Sequence, residues 1–98
     1  MQRYQYLRAL VSQLLEESPL TSAEVIDDVR HLMSLGEEEL AFDTMCSWIY
    51  EDALPITSAY YARLVSAAEE LGTPRSTDRL DELVEGRSGG VEDEPLRP

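Results

Sequence analysis

The single histidine of this 98-residue chain, His31, follows Asp28 by three positions in Asp28-Val29-Arg30-His31. An acid and a histidine at that spacing share a helix face. Used twice, with further carboxylates, such pairs hold two iron or manganese ions inside a helical bundle. Here no second histidine exists, and Asp27, Asp28 and His31 lie opposite the apolar positions Val25, Val29 and Leu32. The expectation is a solvated acidic face and no metal. Cys46, the only cysteine, can form neither an intrachain disulfide nor a thiolate cage. Nothing in the spacing brings it to His31, the one histidine able to activate a nucleophile, and a lone cysteine on a helix commonly fills apolar space. No glycine-rich phosphate loop, calcium loop or nucleophile elbow is present. The chain is therefore expected to have no catalytic residues, no metal and no cofactor, and not to be an enzyme.

A different constellation remains. A step of about 100° per residue gathers Glu39, Asp43, Cys46 and Tyr50 on the polar side of one helical segment, with Ser47 alongside. A tyrosine among carboxylates suits a protein interface, because the ring fills a pocket while the acids pair with arginine or lysine around it. Glu24, Asp27, Asp28 and His31 form a similar face on the preceding segment. These eight positions, Glu24, Asp27, Asp28, His31, Glu39, Asp43, Ser47 and Tyr50, are the candidate partner-binding residues. If the two segments pack antiparallel, their faces merge.

The charge distribution agrees. Of a net charge of −12, residues 16–52 carry −10, with eleven acids against Arg30 alone. Such a field repels phosphate backbones and anionic membranes and draws in basic surfaces. Direct nucleic-acid and membrane binding are disfavoured. No apolar run reaches the length of a membrane span, and Met1-Gln2-Arg3-Tyr4 does not open an export signal, so a cytoplasmic location is expected.

These faces require helices to display them. Tyr4, Leu7, Leu10, Val11, Leu14 and Leu15 recur at three and four residues, predicting a first helix that ends near Glu17, where Ser18-Pro19 breaks it. Thr21-Ser22-Ala23-Glu24 reads as a capping box with Thr21 as the cap. The second helix then carries Val25, Ile26, Val29, Leu32 and Met33 and stops near Gly36. Glu37, Glu38 and Glu39 favour the positive start of a third helix running to about Asp52. Its core stripe reads Ala41, Met45, Trp48 and Ile49, with Trp48 as packing centre and Phe42 at the margin. Thr57 caps a fourth helix with Tyr61, Leu64, Val65, Ala68 and Leu71, closed by Gly72 and Pro74. Leu80, Leu83 and Val84 leave room for a short fifth helix. Residues 86–98, rich in glycine, proline and charge, read as a disordered acidic tail. With 43% hydrophobic residues and short links, the fold class is all-α: one domain over residues 1–85, a compact bundle of four short amphipathic helices, followed by the tail at 86–98.

From Ser22 to Gly72 the order of features resembles the MafI-type immunity proteins of bacterial polymorphic-toxin systems. The residues carrying this are Glu24-Val25 with Val29, the turn Leu35-Gly36-Glu37, Leu40-Ala41-Phe42-Asp43-Thr44-Met45-Cys46 with Trp48-Ile49-Tyr50-Glu51, then Pro55-Ile56-Thr57 and Leu71-Gly72. They span about half the chain and are mostly core and cap positions. The resemblance implies a protein that binds and neutralises the nuclease domain of a cognate toxin, with no catalytic residues of its own. A second reading is a non-enzymatic helical interaction or regulatory module acting as a homodimer through exposed apolar residues such as Leu40.

Overall fold

A computed structural model describes residues 2–85, which form four α-helices: α1 (Arg3–Glu17), α2 (Ala23–Ser34), α3 (Glu38–Glu51) and α4 (Ser58–Leu71). Two 3-10 turns follow, Pro74–Thr77 and Leu80–Leu83. The all-α expectation holds, and the short fifth helix takes the form of these two turns. The tail expected at 86–98 lies outside the described residues.

Local chemistry sets each boundary. At the end of α1 the Ser18 hydroxyl donates to the Leu15 carbonyl at 2.7 Å, ahead of Pro19. The cap of α2 is Ser22, whose Oγ accepts from the Val25 amide at 3.3 Å. Thr21 is thus not the cap, and the expected box with Glu24 does not form. Serine caps at least as well as threonine, and Val25, Val29 and Met33, four residues apart, enter the core together. Helix α4 starts as expected, with Thr57 Oγ1 accepting from the Tyr60 amide at 3.0 Å.

Three helices end in the same way, with one left-handed residue and a six-to-one backbone hydrogen bond. After α2 the left-handed residue is Gly36, and the Glu37 amide donates to Leu32 at 3.0 Å. After α4 it is Gly72, and the Thr73 amide donates to Ala68 at 2.8 Å. After α3 it is Ala53, at φ 51°, with the Leu54 amide bonded to Ile49 at 3.0 Å. An alanine here takes a conformation that its Cβ disfavours.

Helix α3 touches every other element. Ala41, Phe42, Met45, Cys46 and Ile49 are all buried along it, against Val11 and Leu14 of α1, Val29 of α2, and Leu64 and Ala68 of α4 in one continuous core. Three sequence expectations fail on this helix. Phe42 is fully buried rather than marginal, and Trp48, expected at the packing centre, is 41% exposed. The buried arc runs from Ala41 through Met45, Ile49 and Phe42 to Cys46, which leaves Trp48 at its edge, beside Ala41. Cys46, grouped with the polar face, is likewise buried.

On α4 it is Tyr60 that is buried, and Tyr61 is half-buried. Tyr60 tolerates burial because its hydroxyl donates to the Leu14 carbonyl at 2.7 Å, satisfying the one polar group that the ring carries inward. The α1–α4 pair is further tied by the Tyr6 hydroxyl donating to Glu70 Oε2 at 3.0 Å and by the Arg63–Glu17 ion pair. The last turns seal the core. Leu80 is 1% exposed, and an isolated parallel bridge joins Ile56 to Val84, with the Ile56 amide donating to Leu83 at 3.0 Å and the Glu85 amide to Ile56 at 2.8 Å.

Candidate protein-binding face

The amphipathic division of α2 puts Val25, Val29 and Met33 inward and leaves Glu24, Asp27, Asp28 and His31 exposed on the opposite arc. None of these four side chains has a hydrogen bond or ion pair among the described residues. Arg30 stands apart from them. It lines a groove of about 220 Å³ toward α1, with Arg8, Ser12 and Glu16. The only base within the acidic run therefore leans toward α1, and the outward arc of α2 is free of arginine.

The polar side of α3 is different. Glu39, Asp43 and Ser47 are exposed and Tyr50 is half-buried, but the two 3-10 turns lie against this flank. The Ser76 hydroxyl donates to Asp43 Oδ1 at 2.8 Å. The Arg79 guanidinium sits 4.6 Å from the centroid of the Tyr50 ring and also pairs with Glu82 at 3.3 Å. Between helix and turns lies an open cleft of about 250 Å³, with Asp43, Ser47, Tyr50 and Glu51 on one wall and Arg75, Ser76 and Arg79 on the other. On α3 the expected acids flanking a tyrosine are thus joined by two arginines from 28 or more residues downstream of Ser47, and the ring of Tyr50 has a cation over it.

Cys46 lines the floor of that cleft. Burial, and secondarily the charge of Asp43, raises its thiol far above the ordinary value of 9.0, so it stays protonated. A protonated thiol is neither a nucleophile nor a ligand. No group of three or more His, Cys, Asp or Glu side chains capable of holding a metal is found among the described residues, and among them no helix is long and apolar enough to cross a membrane.

Sequence reasoning missed Trp48, Arg75 and Arg79 as surface features. Trp48 was legible in principle: Phe42, Met45, Cys46 and Ile49 also run at spacings of three and four, and choosing that stripe turns the tryptophan outward. The arginines were not, because their placement depends on how the C-terminal turns fold back. Compared with known protein families, curated proteins and solved structures, the chain has no match.

Proposed function

We propose that this chain is a non-enzymatic binding protein that neutralises a basic partner, and that the partner is the nuclease domain of a bacterial polymorphic toxin. The observation that carries the reading is the arc Glu24, Asp27 and Asp28 on α2, exposed and without internal ion pairs. Acids left unpaired on a folded surface contribute little to its stability but steer a positively charged partner. Nucleases need cationic clefts to hold phosphates, so an acidic helix face is complementary to them. The resemblance of residues 22–72 to MafI-type immunity proteins supplies the toxin as the partner class; the charge supports only its basic character. His31 belongs to the same arc; Glu39, Asp43 and Ser47 lie on the polar side of α3, where Asp43, Ser47 and Tyr50 reach a partner only through the cleft shared with Arg75 and Arg79.

The test is co-expression with a basic nuclease domain encoded beside this chain. Protection of the cells, and a complex on a sizing column that dissociates as salt rises, is the expected result. Absence of both protection and complex would reject the proposal. The homodimer reading has one observation in its favour, the 49% exposure of Leu40. A strict monomer in sedimentation equilibrium at high micromolar concentration would remove it.

A further inference from the structure

Leu40 and Trp48 are 49% and 41% exposed, the two large apolar side chains that α3 leaves to solvent. Eight residues apart, they are separated by about 12 Å along the helix at 1.5 Å per residue. Thr44, half-buried, lies between them on the same strip, and Ser47 and Glu51, both exposed, border it on the side that also forms one wall of the cleft. Acids stand within one turn of each anchor: Glu37 beside Leu40, and Glu51 and Asp52 beside Trp48, all exposed and at spacings that bring side chains together on a helix.

We infer that this strip is a docking surface for a basic segment of a partner protein, one in which lysines or arginines flank one or two apolar side chains. Trp48 and Leu40 bury the apolar residues, and Glu37, Glu51 and Asp52 pair with the cations around them. Charge decides the occupant. The strip lies inside the stretch that carries −10, so a second copy of this chain would bring like charge against it, whereas a basic segment brings the opposite sign. A half-exposed tryptophan ringed by polar groups is the composition that dominates binding energy at protein interfaces. The inference deepens the proposed function by naming its anchors, and it places them on Trp48 and Leu40 instead of Tyr50.

Trp48 is the only tryptophan in the chain, so its emission reports on this strip alone. The probe is a tryptophan-free amphipathic peptide of lysine and leucine, with an oligolysine of equal charge as the control. The full chain should show Trp48 open to acrylamide, independent of its own concentration. The lysine–leucine peptide should produce a saturable blue shift and protection from the quencher, and oligolysine should not. Followed by anisotropy of a labelled peptide, Trp48→Ala should weaken binding about tenfold or more. Leu40→Glu separates charge from apolar anchoring, since charge alone would tighten binding of a basic peptide and loss of an anchor must weaken it. Tighter binding by Leu40→Glu, peptide binding without a change at Trp48, or a tryptophan already shielded in the free chain would each overturn the inference. Toxin neutralisation that survives Trp48→Ala and Leu40→Glu would overturn it while leaving the functional proposal standing. A peptide that docks on Trp48 without any toxin being neutralised would do the reverse.

Discussion

The Arg79 guanidinium lies 4.6 Å from the centre of the Tyr50 ring, joining the last turn of α3 to the segment between the two 3-10 turns. The pair explains why a tyrosine on the polar flank of α3 is half-buried. Arg79→Ala should destabilise the fold by about 0.5–1 kcal/mol, the value of such a contact near a surface. In urea unfolding, Tyr50→Leu should cost less in the Arg79→Ala background than in the wild type. Strictly additive losses would show that the two side chains are not coupled.

Ala53 closes α3 in the left-handed region at φ 51°, where α2 and α4 use glycine. Ala53→Gly relieves a penalty of about 1–2 kcal/mol but gives back part of it as chain entropy in the unfolded state. A net gain of about 0.5–1 kcal/mol is expected, seen as a higher urea midpoint at unchanged slope. The converse change at Gly36 should be costly, because its φ is 77° and a Cβ there would meet the Tyr4 hydroxyl oxygen at 3.3 Å.

Phe42 and Trp48 exchange the roles that their sizes suggest. Phe42→Ala should cost about 3–5 kcal/mol, a large part of the 5–15 kcal/mol that stabilises a typical domain. Trp48→Ala should cost about 1 kcal/mol or less. Thermal unfolding of the two variants checks the order, and a larger loss for Trp48→Ala would place the tryptophan in the core after all.

The fold should weaken in alkali. Burial, foremost, raises both the Cys46 thiol and the Tyr60 hydroxyl above their ordinary values of 9.0 and 10.0. In each case the neutral form belongs to the folded state. Their contribution is complete below the unfolded value and is lost as pH rises through the folded one. The sequence has no lysine, so no lysine side chain titrates across this window. Stability should fall from about pH 9 upward, and Cys46→Ala should flatten the early part of that fall. In the native state at pH 8, Cys46 should resist a thiol reagent that modifies it at once in urea.

On α2, Asp27→Asn and Asp28→Asn together should leave the melting temperature nearly unchanged, since neither carboxylate has a partner among the described residues. They should slow association with a basic nuclease domain and reduce its salt dependence, with little change in dissociation. Stopped-flow binding at two ionic strengths measures both. A large loss of stability would mean that this face is packed rather than free.

The helices were legible because most of their stops are local: Ser18-Pro19, Gly36 and Gly72 break the chain wherever it folds. The cap of α2 lies one residue later than the sequence suggests, because Thr21 and Ser22 are adjacent and offer the same hydroxyl. The face of α3 was harder. Its apolar residues cover more than half a turn, so several stripes fit, and the choice among them is made by neighbours that a single helix does not reveal. The free acids of α2 were visible from periodicity. The cleft was not, because one wall comes from Arg75 and Arg79, and no short-range pattern shows that residues 74–84 double back onto α3.

That return has a consequence in time. Leu80, with 1% of its surface exposed, and the Ile56–Val84 bridge come after all four helices in the order of synthesis. A nascent chain growing at about 5–20 residues per second therefore contains the sequence of all four helices before the residue that seals their shared interior has been added. Until residues 80–84 are available, the four helices lack the contact that closes their interior, so the bundle cannot complete its core from the helices alone.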